Sequence, residues 1–302
     1  MMRLPTPGSP GAYLLAARPK TLPAAIAPVL VGSACAFYEG MFAWYPASLA
    51  LVCAILIQVG ANFANDLLDF EKGHDTTTRV GPVRAVQTGL LTREQMRAAT
   101  VAVFGSACVL GSLLTLHSGW PVAAIGIASI VAALAYTAGP YPLGYHGLGD
   151  VFVMLFFGFV AVCGTAFVQM QTVPGSAWIT AVAVGALSTA ILVVNNVRDS
   201  ENDRTTGKRT LAVILGLRLA KGEYLALLVT AYLVPVAVFV FFVPHAWVFL
   251  PLASTPLAIL TARRFLSATT GAEYNSVLAQ TGVLLLTYSV LLSTGLVLPA
   301  LR

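Results

Sequence analysis

The sequence predicts an all-α polytopic membrane protein, with about nine transmembrane helices around a central cavity, cytoplasmic cap loops and a four-helix internal repeat. Three observations predict this class. Hydrophobic residues make up 58% of the 302 and charged residues only 10%. Apolar runs approach the roughly 20 residues a helix needs to cross about 30 Å of hydrocarbon, where a helix satisfies its own backbone hydrogen bonds. Basic residues, finally, gather in alternate connecting segments.

The runs fall at about 21–39, 43–65, 97–116, 120–138, 151–171, 177–196, 223–243, 246–262 and 277–298. The first ends near Ser33-Ala34-Cys35-Ala36 and superficially resembles a cleaved signal peptide. Eight further spans and a Pro-interrupted start mark it instead as the first helix. Residues 1–16, rich in Pro and Gly, read as a flexible or interfacial arm on a single domain covering 1–302. With the N-terminus cytoplasmic, loops 66–96, 139–150, 197–222 and 263–276 lie inside. The inside regions then hold 16 of the 17 Lys and Arg, leaving only Arg302 outside. This charge bias predicts a multi-pass plasma-membrane protein with its working loops cytoplasmic and its C-terminus outside. The net charge of +5 accordingly reflects topology and anionic lipid, and is no sign of nucleic-acid binding. Within the first loop, Thr92-Arg93-Glu94-Gln95 has the form of a helix N-cap with a capping Gln three positions on. Cys35, Cys53, Cys108 and Cys163 are isolated within spans, as expected of small apolar packing residues and not of a metal site or a disulfide framework.

Two acidic clusters stand out because acidic residues are scarce, 12 in the whole chain. One reads Asn65-Asp66-Leu67-Leu68-Asp69 with Asp75 beyond it. The other reads Asn195-Asn196-Val197-Arg198-Asp199, followed by Asp203. Aligning them superposes the leading Asn and the last Asp of each, four helices apart, which is the basis for a parallel repeat placing both at one depth across a cavity. Gln58, Asn62, Asn65, Asp66 and Asp69 follow one another at three- or four-residue steps and share one helix face; Ser188, Asn195, Asp199 and Asp203 repeat the pattern. Polar stripes at the ends of membrane helices face the protein interior. Carboxylates that keep some waters suit Mg²⁺, commonly held by a few carboxylates together with substrate phosphates. Lys72, Arg79, Arg84, Arg198, Lys208 and Arg209 nearby complete the description of a diphosphate site, although each basic residue alone is equally explained by topology. No Gly-rich phosphate loop is present, which argues against a nucleotide carrier. Tyr136, Tyr141 and Tyr145 could line a cavity, but interfacial tyrosines are common and an aromatic belt is the preferred reading, and His74 and His146 are lone histidines without an assigned role.

These segments resemble the UbiA-type intramembrane prenyltransferases, and within them the menaquinone-pathway branch that prenylates 1,4-dihydroxy-2-naphthoate. The resemblance is carried by Asn65-Asp66-x-x-Asp69, Lys72-Gly73-His74-Asp75 with Arg79-Val80-Gly81-Pro82-Val83-Arg84, Arg18-Pro19-Lys20-Thr21-Leu22-Pro23, Gly139 to Tyr145 with Gly147-Leu148-Gly149-Asp150, and Asn195 to Asp199 with Asp203 and Gly207-Lys208-Arg209-Thr210-Leu211. The chain departs from the pattern at Gly73, where the wider family has its third Asp, and at Leu67-Leu68, Thr78 and Ile214.

The resemblance implies transfer of a polyprenyl group from an all-trans-polyprenyl diphosphate to 1,4-dihydroxy-2-naphthoate, with decarboxylation, giving demethylmenaquinone and diphosphate. It implies Mg²⁺ held by Asp66, Asp69, Asp75, Asp199 and Asp203, with Asp66, Asp69, Asp199 and Asp203 as the catalytic set. Asn62, Asn65, Lys72, Arg79, Arg84, Asn195, Arg198 and Lys208 would contact or orient the diphosphate. Arg18, Lys20, Tyr136 and Tyr141 are weaker candidates for the aromatic acceptor. Two other readings stay open: a related prenyltransferase using another aromatic acceptor or a phytyl donor, and a transporter with an internal repeat. Transporters typically place charge at the bilayer midplane, whereas here it gathers at one face.

Overall fold

The computed structural model describes residues 4–73, 81, 83–139 and 141–301, and within them helices are joined by turns and loops without any strand. The long elements are α1 (Pro10–Ala17), α2 (Pro23–Tyr38), α3 (Trp44–Glu71), α4 (Arg93–Ser118) and α5 (Trp120–Ala135) in the first half. The second half contains α6 (Gly149–Met170), α7 (Gly175–Thr205), α8 (Leu217–Phe241), α9 (Ala246–Ser267) and α10 (Gly271–Ala300). Each of the nine expected apolar runs lies on one of α2 to α10.

The count of nine spans is not confirmed. Among the described residues, seven helices are long and apolar enough to cross a membrane, and an eighth is obtained if α1 with the turn after it and α2, bent by 54°, are taken as one. The ninth segment, α5, has 16 residues, a rise of only about 24 Å at ~1.5 Å per residue. That is short of the hydrocarbon thickness. The loops also shrink. α3 continues to Glu71 and α7 to Thr205, so both acidic clusters sit on helix ends and not on the expected loops 66–96 and 197–222. Residues 10–17, expected as part of a loose or interfacial arm, form α1, whose Ala12 and Ala16 are buried. They pack with Phe63, Leu67, Ala85, Val86 and Leu91 in a small satellite core.

The main core is built on α7, with 78% of its apolar window buried against 22–39% for the other candidate spans. α7 is therefore the central post, while helices around it present Val229, Leu233 and Val240 (α8) outward, as does the more peripheral α4 with Val101, Val109 and Leu116. Such an apolar exterior fits a hydrocarbon solvent. α6 approaches α7 through a π-helical stretch, Met154–Val160. A Cβ on Gly158 would lie 2.7 Å from the Ala181 carbonyl oxygen, so only glycine permits this crossing. α4 begins with the expected capping box: Thr92 accepts from the Gln95 N–H while the Gln95 side chain accepts from the Thr92 N–H. α10 opens on a second one, Thr270 with Glu273.

Candidate active site

A cavity of about 830 Å³ runs between α2, α3, α4, α5, α6 and α7. Its far end is lined by Leu116 and Val122, at the turn between α4 and α5, and its walls by apolar residues such as Ile57, Phe156 and Phe157. Polar groups gather at the opposite end, where α3, α5 and α7 all reach the cytoplasmic loops of the expected topology. Gln58, Asn62 and Asn65 contribute from α3, and Ser188 and Asn195 from α7, with Arg18 and Tyr136 beside them. Of the helical stripes read from the sequence, Gln58, Asn62, Asn65, Ser188 and Asn195 form a polar wall of this cavity, and the aspartates Asp66, Asp69, Asp199 and Asp203 lie off it. Asn62 also fixes the bend before α2: its Nδ2 donates to the Ala17 carbonyl at 2.9 Å and to Thr21 Oγ1 at 3.0 Å. Gln58 Nε2 donates to the same Thr21 oxygen.

Over this end lies a knot of charge centred on Asp69. Its carboxylate accepts from Arg84 Nη2 at 2.5 Å, Lys208 Nζ at 3.0 Å and Tyr145 Oη at 2.6 Å. These partners come from three separate connecting segments, so Asp69 draws the loops of both halves together. The Tyr145 ring lies under Lys208 at 4.5 Å and Lys72 at 5.2 Å, a cation–π sandwich. Lys72 Nζ donates to the Thr137 carbonyl at 2.6 Å, and Thr137 Oγ1 donates to Asn65 Oδ1 at 2.6 Å. Two cationic side chains, Arg84 and Lys208, therefore meet one buried carboxylate, and Lys72, itself exposed, stands on the other partner, the Tyr145 ring. Excess positive charge in such a place favours an oxyanion.

Asp66 behaves differently from its neighbour. Its Oδ2 accepts from the Ala85 N–H at 2.9 Å and its Oδ1 from the Val86 N–H at 3.1 Å, and it is 0% exposed. In the second cluster, the Arg198 guanidinium is spent internally. Nε and Nη2 make a bidentate contact with Asp199, Nη2 also donates to Asn195 Oδ1, and Nη1 donates to Asn275 Oδ1 on α10. Its side chain has 0% exposure. Arg198 thus acts as a tie between α7 and α10, whereas the sequence suggested a cation facing a ligand. Asp203 is buried, and its backbone carbonyl accepts from the Lys208 N–H.

The structure gathers Asn65, Asp69, Lys72, Arg84 and Lys208 into one network and keeps Asn195, Arg198 and Asp199 in another. Asp75 and Arg79 lie outside the described residues. Arg18 and Tyr136 line the cavity, but Lys20 is exposed, and Tyr141 is 58% exposed and stacked on His146. Sequence reasoning missed Tyr145, Thr137, Thr21 and Asn275 as network members. The signal for Tyr145 is its place in the Gly- and Pro-rich run from Gly139 between two spans, one of the segments that carry the family resemblance. Asp150, at the start of α6, is buried, and neither of its carboxylate oxygens has a hydrogen-bond partner.

Among the described residues no three His, Cys, Asp or Glu side chains come together as a metal-binding group. The donor chemistry still suits a hard cation: Asn65, Asp69, Asp199 and Asp203 offer oxygen ligands, and Asp69 already carries two cationic side chains where a metal would bring charge.

Helices long and apolar enough to cross a membrane, around an apolar cavity with a charged network beyond its polar end, define an intramembrane protein. The chain belongs to the UbiA prenyltransferase family, whose sequence profile matches residues 25–298. It is 40% identical over 259 residues to a 1,4-dihydroxy-2-naphthoate octaprenyltransferase of Escherichia coli (strain K12), covering 83% of this chain and 84% of the relative. It is 38% identical to a protein of the same description from Mycobacterium tuberculosis, covering 94% and 96%. The fold matches that of a UbiA homolog from Archaeoglobus fulgidus solved bound to GPP and Mg²⁺, with a TM-score of 0.63, 14% identity, and 93% and 99% coverage.

Proposed function

We propose that this protein transfers a polyprenyl group from an all-trans-polyprenyl diphosphate to 1,4-dihydroxy-2-naphthoate with loss of CO₂, on the cytoplasmic side of the plasma membrane. The observation that carries this reading is the Asp69–Arg84–Lys208–Tyr145 knot one helical turn beyond Asn65, which lines the polar end of a long apolar cavity. The naphthoate acceptor is supported by the relatives' descriptions over most of the chain.

In this reading the isoprenoid tail lies along the cavity and its diphosphate meets Lys72, Arg84 and Lys208. Asp69, Asp199 and Asp203, with Asp75 and Asn65, would hold Mg²⁺, which supplies further charge neutralisation to the diphosphate when bound. As the bond between the allylic carbon and its oxygen breaks, negative charge grows on the leaving diphosphate. Lys72, Arg84 and Lys208 stabilise that charge, and Tyr145 holds Lys72 and Lys208 beside Asp69. The allylic cation left behind sits in the water-poor mouth of the cavity, which protects it from hydrolysis. The electron-rich ring of the acceptor attacks it, forming the new carbon–carbon bond. The electrons of the carboxylate's carbon–carbon bond return to the ring as CO₂ departs. Arg18 and Tyr136, on the cavity wall, are placed to contact this acceptor.

The test is product mass after incubating the purified protein with Mg²⁺, a set of labelled prenyl diphosphates and competing aromatic acceptors. Exclusive prenylation of the dihydroxynaphthoate is expected. Preferred use of hydroxybenzoate, homogentisate or a phytyl donor would assign the chain to a different reaction.

A further inference from the structure

We propose that Asp66 is a positioning residue that anchors the 84–91 segment, and that the metal and the diphosphate are handled without it. The inference rests on the reading above only for the identity of those ligands.

Asp66 lies between Asn65 and Asp69, in the position a metal ligand would be expected to take. On an α-helix, however, it is turned about 100° from Asn65 and about 60° from Asp69. That rotation places it at the edge of the polar stripe, between Asn62 and Phe63, and Phe63 and Leu67 pack under Ala85, Val86, Leu90 and Leu91. Asn62 and Asn65 line the cavity and neither Asp66 nor Asp69 does; the two carboxylates differ in their partners, cationic side chains and a tyrosine hydroxyl for Asp69 and backbone amides for Asp66. Both of its oxygens accept consecutive backbone N–H groups, those of Ala85 and Val86. Those N–H groups open a turn closed by Thr88 N–H to the Arg84 carbonyl and Gly89 N–H to the Val86 carbonyl. Asp66 thus does from another element what an N-cap carboxylate does within a helix: it satisfies the first donors of the turn. A metal bound to Asp66 would have to strip away both amides and enter an apolar compartment. The residue immediately before the anchored pair is Arg84, whose guanidinium reaches Asp69. Asp66 acts on the site through that guanidinium.

The test uses the full-length protein in detergent or nanodiscs. Hydrogen exchange of the 83–91 segment is measured in the wild type with and without Mg²⁺ plus inorganic diphosphate, and in Asp66→Asn. Mn²⁺ binding is titrated in the wild type, Asp66→Asn and Asp69→Asn. The anchor predicts a protected segment in the wild type whether or not the ions are present. In Asp66→Asn it predicts exchange faster by about tenfold or more, because two charge-assisted hydrogen bonds are lost. Mn²⁺ affinity should stay within about threefold of wild type in Asp66→Asn and fall by more than about tenfold in Asp69→Asn. In turnover, Asp66→Asn should raise KM for the prenyl diphosphate more than it lowers kcat, since Arg84 is displaced while the metal ligands remain. A metal affinity lost to the same degree as in Asp69→Asn would overturn the proposal, whatever the loop does. So would unchanged exchange in Asp66→Asn. If that variant fails to fold, the wild type decides: amides that lose protection when Mg²⁺ and diphosphate are added would show that Asp66 leaves them for the metal.

Discussion

Replacing Tyr145 with Phe removes one oxygen and leaves everything else about the ring in place. The lost hydroxyl donates to Asp69 at 2.6 Å, a short distance typical of bonds to a charged acceptor. Such a bond contributes about 1.5–3 kcal/mol, which corresponds to roughly 10- to 100-fold in kcat/KM if the Asp69 arrangement is needed in the transition state. The Phe ring still lies under Lys208 and Lys72, so the cations keep their platform. Tyr145→Leu removes that platform as well and should cost about a further 0.5–1 kcal/mol for each cation. The assay is steady-state prenylation by purified protein, with thermal unfolding of each variant measured alongside. The expected order is wild type, then Phe, then Leu, with unfolding temperatures changed far less than rates. A Phe variant with wild-type kcat/KM would refute the role given to this hydroxyl, and with it the idea that Asp69 must be held by all three donors.

Other perturbations test separate parts of the account. Arg198→Met leaves the Asp199 carboxylate buried beside Asn195 without its bidentate partner, and breaking a buried pair costs about 3–5 kcal/mol; thermal unfolding in detergent should show a large loss. Gly158→Ala drives a methyl group to 2.7 Å from the Ala181 carbonyl and should destabilise by about 1–3 kcal/mol, read as a lower unfolding temperature. Bulky substitutions on the cavity wall far from the charged network, such as Ala123→Phe or Gly126→Phe, should shift the preferred donor to shorter prenyl chains, seen in competition between donors of different length. Chelation should abolish turnover and added Mg²⁺ should restore it, while the fold, built on apolar packing around α7, keeps its helical circular dichroism throughout.

The helices were legible in the sequence because insertion into hydrocarbon is decided by local composition: every apolar run became helix, and Thr92 to Gln95 capped α4 as its residue pattern required. Span number was less legible. The same composition describes α5, which is too short, and the Pro-bent start of α2. The stripe Gln58, Asn62 and Asn65 was legible as a cavity face because helical periodicity alone sets it. The different partners of Asp66 and Asp69 were not, since they depend on where the 84–91 and 207–209 segments fold back, and those contacts span 15 to 139 positions. Arg198 shows the same limit. Its neighbours in sequence suggested a ligand-facing cation, but its guanidinium is claimed by Asp199, Asn195 and the distant Asn275. Tyr145 was passed over because a tyrosine near a membrane interface has a common alternative explanation, and only the fold puts its hydroxyl on Asp69.

In the proposed reaction one site couples prenyl transfer to decarboxylation. This coupling is tested most directly by giving the purified protein carboxyl-labelled 1,4-dihydroxy-2-naphthoate, a polyprenyl diphosphate and Mg²⁺, and by counting released CO₂ against prenylated product. The account predicts equal amounts of the two, both absent without the diphosphate and both lost in Asp69→Asn. CO₂ release independent of the diphosphate, or a prenylated product that keeps its carboxylate, would contradict it.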